Sequence, residues 1–412
     1  MLNNDNKYID EKPPAVIVGA LNLVRALGFG EFPVIIATSM ANETAFSSKY
    51  LDRSYEIPGP TNTPYEFIQS LQAIGNELTP VRPVLFYNGD ADLLAISRNR
   101  DVLSNYYRFN MPPPDVVESL VDKSLFFNYM EKYDLPTPKT VLIGNEKFRD
   151  TNIVNDFILP VVVKPVSRVG WFDSSLARKF GKGGKAILVT SRKELRAIIT
   201  ASMAQEIGII IQEHIIGDET FVVSYHSYVD NDGNILGEYS GRKHRTYPNR
   251  FGKSTCVEVC DIPDVLLTGR KIIEKTGLIG VSKIDFKRCP ETGQLYLLEI
   301  NPRFNLWNYP AAVSGVNLPL IAYNDIMKIK EQCSYYFKHN TKWIDGELDR
   351  RSFKEEGKGI FLYYISSISN LFSNTVYNVW AWNDPMPFVK LVINRFISIP
   401  GKVFKRVKRN LV

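Results

Sequence analysis

Short apolar runs alternate with amphipathic stretches along this chain of 412 residues, and the alternation predicts most of its elements. PAVIVGA (14–20) reads as an apolar strand ending in glycine, LNLVRALGF as a helical stretch, PVIIATS (33–39) as a second strand and PVLFYNGDAD (83–92) as a third. Strand, helix and strand at this spacing predict a parallel α/β unit over about 10–120. It has no GxGxxG, so a dinucleotide site there has little support. MPPPD (111–115) reads as a linker. VDKSLFFNYMEKYDLPTP then predicts an amphipathic helix stopped by Pro136, with Leu125, Phe126, Tyr129 and Met130 on one side.

Further on, LPVVVKPV (159–166) is a buried strand with one lysine near its end, and FGKGGKAILV (180–189) is a glycine-rich turn feeding a strand. IGIIIQEHIIGDETFVVSYH (207–226) holds two strands interrupted by HIIGD. TGRKIIEKTGLIG and VNLPLIAYNDIMK are helical. VSKIDFK (281–287) and LYLLEI (295–300) are strands joined by the turn signal CPETG.

That last pair carries the strongest chemical signal. A hairpin centred near Thr292 sets Asp285 opposite Glu299 and Lys283 opposite Asn301. Glu299 and Asn301, two apart, share one face, and cross-strand partners lie about 5 Å apart. Like charges facing each other destabilise a hairpin unless a cation or a proton resolves them. Carboxylate and amide oxygens suit Mg²⁺, and the adjacent Arg303 suits phosphate. The pair therefore reads as a metal–triphosphate wall. The bland alternative is a surface hairpin with scattered charges.

The other candidates each have two readings. Lys164 in an apolar strand needs a charge partner, a phosphate or a carboxylate. Lys123 by itself reads as a surface lysine. Gly181, Gly183 and Gly184 can cradle phosphates through backbone N–H groups, and a plain turn looks the same; no GxxxxGK[ST] is present. Gln212, Glu213 and Ile215 end a strand whose edge can serve an adenine ring. Glu219 is either a ribose-binding acid or an ordinary turn acid. Arg242, Lys243, His244 and Arg245 can stabilise developing oxyanions, or form a solvated cluster.

Composition narrows the classes. The length allows two to four compact units with ample core. Four cysteines without CxxC spacing predict reduced thiols in a cytoplasmic protein. The polar, acid-bearing start does not read as a signal peptide. The net charge of +6 is carried by the end of the chain: residues 388–412 hold seven Lys and Arg and no acid, leaving the rest at −1. No nucleic-acid partner is expected. GIFLYYISSISNLF (359–372) is too short to span a bilayer. The interleaved apolar and basic residues of 388–412 suit peripheral contact with an inner membrane surface, or a helix packed on the body with a solvated end.

Taken in order, the DK helix, VVVKP, the glycine-rich loop, QEHIIGDE, the basic run, KIDFK and LEINPRF resemble the ATP-grasp superfamily of carboxylate–amine ligases over about 120–325. Within it, NPRFN and RKHRTYP are similar to D-aspartate-ligase-like enzymes. The long lead-in SRVGWFDSSLARK departs from the better-known glycine loops. The resemblance implies an α/β (α+β grasp) fold: a parallel pre-ATP-grasp domain (1–115), a two-subdomain ATP-grasp domain (116–345, with 150–215 as the smaller lid) and an apolar, basic helical extension (346–412). It implies ATP with Mg²⁺ or Mn²⁺. Lys123, Lys164, Gly181, Gly183, Gly184, Gln212, Glu213, Ile215 and Glu219 would bind the nucleotide. Asp285, Glu299 and Asn301 would bind the metal, with Arg303, Arg242 and Arg245 at the reacting phosphate. The implied reaction activates a small-molecule carboxylate as an acyl phosphate for attack by an amine. The alternatives are an ATP-binding module without ligase activity and a carboxylate or hydroxyl phosphotransferase.

Overall fold

The computed structural model describes residues 12–143, 155, 157–166, 186–330, 337–359, 363–365 and 374–395. Strands β1 (Ala15–Val18), β2 (Val34–Thr38), β3 (Arg53–Glu56) and β4 (Val84–Tyr87) form a parallel sheet in the order β3-β2-β1-β4. β1, β2 and β4 are buried along their whole lengths, which is why they read as unbroken apolar runs. β3, on the edge, alternates half-buried and exposed residues instead. The helix Pro64–Glu77 lays Phe67, Ile68, Leu71 and Ile74 into this unit's core.

A second sheet has β5 (Thr140–Ile143), β6 (Val161–Pro165), β7 (Ile187–Val189) and β8 (Ile209–Glu213) in the antiparallel order β5-β8-β6-β7. It begins at Thr140, ahead of the expected start near 150. Helix Arg192–Ala204 covers one face, packing Leu195, Ile198 and Ile199 on Val161, Val163, Ile209 and Ile211. The alternate residues Val162, Lys164, Ile210 and Gln212 line a cleft. The period of two thus fixes which way Lys164 points, because a one-residue slip would drive it under the helix.

The third sheet is the frame of the molecule. β9 (Val222–Val229), β10 (Ile235–Tyr247), β11 (Lys253–Val259), β12 (Gly280–Arg288), β13 (Leu295–Asn301), β14 (Thr341–Ile344) and β15 (Thr375–Tyr377) run in the order β13-β12-β9-β10-β11-β14-β15. Helix Pro263–Thr276 starts on a proline, ends at Gly277 with φ +63°, and packs Ile272 and Ile273 with Ile284 and Phe286. The opposite face meets the first unit through a shared core that includes Val34, Phe86, Tyr228, Trp307 and Tyr323.

The chain beyond 345 is not only a helical extension. Helix Gly346–Glu355 is followed by β15, which adds a parallel strand to the edge of the large sheet beside β14. Polar positions in the segment, such as Asn378 donating to Asp345 at 3.0 Å, hold it there.

Candidate functional site

The small and large sheets face each other across a cleft of about 1610 Å³. Most of the residues singled out in the sequence meet in it. Lys123, Lys164, Gln212, Glu213, Ile215 and Glu219 line it, as do Asp285, Glu299 and Asn301.

The β12–β13 hairpin has the expected register: Asp285 pairs with Glu299 and Lys283 with Asn301. Asp285 is 1% exposed. One of its oxygens accepts a bond from the Ser224 hydroxyl on β9, which is in register with it. The other accepts from Lys283 Nζ at 2.6 Å and lies 3.5 Å from Lys243 Nζ. Burial alone would raise the Asp285 carboxyl, but Lys243 and Lys283 outweigh it and hold the group well below the usual range. Burial pulls Lys283 below the usual lysine range, with Asp285 opposing. Burial acts the same way on Lys243, but Asp285, Glu299 and Glu219 overcome it and keep it charged. His226, in register with Lys283 and stacked on Tyr239 at 4.3 Å, is held well below its ordinary value by burial and by Lys283, so it is neutral.

Among the described residues no three His, Cys, Asp or Glu side chains gather as a metal cluster. The donor set on the hairpin is two carboxylates and an amide. The Asp285 carboxylate is already engaged by Ser224, Lys283 and Lys243 and by a side-chain bond with Glu299. Glu299 is exposed toward the cleft. Asn301 Oδ1 lies 3.5 Å from Arg303 Nη2, a long contact. An all-oxygen set of this kind fits Mg²⁺ rather than a softer ion.

At the other wall, Lys123 opens the helix Lys123–Lys132, whose N-cap Asp122 accepts from the backbone of Ser124 and Leu125. Its Nζ donates to the Pro165 carbonyl at 2.6 Å, so the two lysines converge on the end of β6. Lys164 donates to Gln212 Oε1 at 2.8 Å, and Gln212 in turn donates to Thr140 Oγ1 at 3.0 Å. Burial draws Lys164 below the usual lysine range, opposed by Glu299 across the cleft. Among the described residues, the lysine's hydrogen-bond partner is thus an amide rather than a carboxylate. The Glu219 carboxylate accepts from Phe251 N at 3.2 Å. Gly181, Gly183 and Gly184 lie outside the described residues.

The basic run is split by strand alternation. On β10, Lys243 turns toward Asp285, while Arg242 points to the opposite face, 3.4 Å from Cys260 Sγ and 3.9 Å from Glu258. The structure therefore does not bring Arg242 to the cleft. Arg245, two residues beyond Lys243 and past a register shift, also lines the cleft, where Asp349 holds it with two bonds at 2.7 and 2.8 Å. Arg303 pairs with Asp90, at the start of helix Asp90–Arg98 in the first unit. Sequence reasoning passed over Lys243 as part of a run, Lys283 as a mere partner of Asn301, and Asp90 altogether. The period of two was the available signal for Lys243 and Lys283.

Burial lifts the neighbouring Asp92 carboxyl to about 6, against a bond from Gly89 N at 3.0 Å and the pull of Arg303. A carboxyl raised on folding contributes stability that is present below pH ~4 and lost as pH rises through about 6. Asp92→Asn, whose amide oxygen still accepts from Gly89, is expected to raise stability near neutral pH by roughly 1–2 kcal/mol after allowing for partial exposure. Urea unfolding at pH 4 and 7.5 checks this: the gap between wild type and variant should nearly close at the lower pH.

No protein-family model matches the chain. Its fold is shared with an L-amino acid ligase from Bacillus licheniformis (TM-score 0.58, 15% identity, 80% of this chain and 78% of that one). It is also shared with an N5-carboxyaminoimidazole synthetase from Staphylococcus aureus (TM-score 0.59, 12% identity, 84% and 85%). The chain thus has the ATP-grasp fold, an α/β pre-ATP-grasp unit followed by two grasping subdomains. In sequence it is similar to a D-aspartate ligase of Enterococcus faecium, 27% identical over 275 residues, which agrees with the resemblance to carboxylate–amine ligases carried by its motifs. The match covers 64% of this chain and 63% of that ligase, less than two thirds of the relative's length.

Proposed function

We propose that the chain is an ATP-dependent carboxylate–amine ligase. The observation that carries the reading is a single cleft with complementary walls: lysines and an amide on the small-sheet side, two carboxylates and an amide on the hairpin. In this reading Lys123 and Lys164 meet the phosphates of ATP, Gln212, Glu213 and Ile215 flank the adenine, and Glu219 takes the ribose hydroxyls. Asp285, Glu299 and Asn301 would hold Mg²⁺, which when bound neutralises triphosphate charge. Lys243 stands beside Asp285 and Arg303 beside Asn301, so both are set to offset negative charge on the phosphoryl group in transfer.

The chemistry then balances without a covalent protein group. A carboxylate oxygen of the acid attacks the γ-phosphorus, and ADP leaves with the electron pair of the broken P–O bond. The amine attacks the carbonyl carbon of the acyl phosphate, phosphate leaves, and the amine's extra proton is lost. Holding the two reactants in line and shielding them from water is the protein's share. The similarity to a D-aspartate ligase makes D-aspartate the first substrate to test, offered both as acid and as amine.

The test is phosphate release by the full chain with Mg-ATP, D-aspartate and a panel of amino acids, with products weighed by mass spectrometry. Release should require an acid and an amine together, and the product should weigh their sum less one water. ATP binding without release across the panel would favour a binding module. A phosphorylated product formed without amine would favour a phosphotransferase.

A further inference from the structure

Large apolar side chains stand out of the surface on one short stretch near the end of the described chain. Trp382 is 86% exposed, Met386 53% and Ile393 50%, with Phe388 and Val389 also exposed. Residues 386–395 are helical. Met386, Val389, Lys390 and Ile393 fall at i, i+3, i+4 and i+7, so they share one helix face. Trp380 stands edge-on to Trp382 at 5.1 Å and to Phe388 at 5.3 Å, so the aromatic rings before the helix pack on its start.

This stretch is firmly rooted. Asp384 and Arg25 are an ion pair at 3.0 Å, both wholly buried. Asp384 also accepts from Ser48 Oγ at 2.8 Å and Lys49 N at 2.9 Å, and Arg25 reaches the Val379 carbonyl at 2.6 Å. At the far end Arg395 pairs with Glu347 of helix Gly346–Glu355. Tyr363 donates to the Gly346 carbonyl at 3.0 Å, which brings the exposed Tyr364 and Ile365 to the same end of that helix. The apolar rings and chains are therefore presented outward from a fixed base.

Charge selects the partner. Residues 388–412 bring seven Lys and Arg and no acid, while the rest of the chain totals −1. A second copy of this chain would carry the same seven cations in its own 388–412 and be repelled. An anionic bilayer accepts both halves: tryptophan and aliphatic side chains at the headgroup boundary, and basic groups on lipid phosphates. The stem of Lys390 can lie along the apolar face with its ammonium toward the headgroups. Among the described residues no helix is long and apolar enough to cross a membrane.

We propose that 380–395 is an interfacial anchor that seats the chain on an anionic lipid bilayer, with Trp382, Met386, Val389 and Ile393 entering the headgroup boundary. The anchor lies in the interface and does not span it. The proposal is independent of the ligase reading and stands or falls apart from it.

Flotation of the full chain with lipid vesicles tests it. The chain should bind phosphatidylcholine vesicles carrying roughly one-third phosphatidylglycerol at least ~10-fold more tightly than pure phosphatidylcholine, and less tightly in high salt. The triple variant Trp382→Ser, Met386→Ser, Ile393→Ser should bind the anionic vesicles at least ~10-fold less, with an unchanged melting temperature because all three residues are exposed. Tryptophan emission should shift to the blue with anionic vesicles, and Trp382→Phe should diminish that shift. Three results would overturn the proposal. One is no flotation with anionic vesicles at low salt. A second is a triple variant that floats like the wild type, which would assign binding to the basic residues alone. The third is a wild-type dimer in sedimentation that the triple variant dissociates, which would make the face a contact between copies.

Discussion

Glu299→Gln is expected to lower ATP turnover by about 10²–10³-fold while leaving the melting temperature unchanged. The residue is exposed toward the cleft, so the substitution removes a charge without opening the core. It also removes the carboxylate that acts on Lys164 and Lys243, so both walls of the cleft feel the change. Asp285→Asn is the informative companion. It deprives two buried lysines of their nearest counter-charge, and the cost of an uncompensated buried charge is several kcal/mol. That variant should therefore lose both turnover and stability. ADP release and thermal melting, measured on both variants, separate the two effects. Unchanged turnover in Glu299→Gln would remove the hairpin from the proposed phosphate site.

The second large effect concerns stability alone. Arg25→Leu is expected to destabilise the chain by about 3–5 kcal/mol, because it leaves Asp384 wholly buried without its cation. The guanidinium also serves the carbonyls of Val379 and Asp384, so the loss extends to backbone groups that have no water to turn to. Adding Asp384→Asn to Arg25→Leu should recover part of the loss, since removing both charges of a buried pair costs far less than removing one. Thermal melting of the single and double variants gives the comparison. Limited proteolysis should cut beyond residue 378 faster in the single variant, because Asp384 fastens that stretch to the first unit. A single variant that melts with the wild type would contradict the account.

Some of this architecture could be read from the chain and some could not, for identifiable reasons. The pairing of Asp285 with Glu299 follows from a turn signal and a period of two, both local. The same reading missed the register shift between Asp285 and Phe286, after which Phe286 faces Leu297, because nothing in residue type marks that bulge. The basic run was legible as charge but not as direction. Four adjacent residues on a strand cannot all face one site, and the structure gives Lys243 to the cleft and Arg242 to Glu258 and Cys260. The bond from Arg303 to Asp90 joins residues 213 apart, beyond any local pattern. A separation of 359 residues likewise hid the burial of Arg25 against Asp384; Arg25 reads as an ordinary amphipathic position in LNLVRAL.

The Arg303–Asp90 bond bears on how such a chain can be rebuilt. Its cation comes from the frame that carries the hairpin, and its anion from the first turn of a helix in the leading unit. A chimera that borrows another protein's leading unit therefore inherits a matching rule. The grafted helix must open with an acid at this point, or Arg303 loses that partner and keeps its contacts to the Asn301 side chain and the Phe304 carbonyl. The two units are parts cut to one another, and swapping either one is a change to the site as well as to the scaffold.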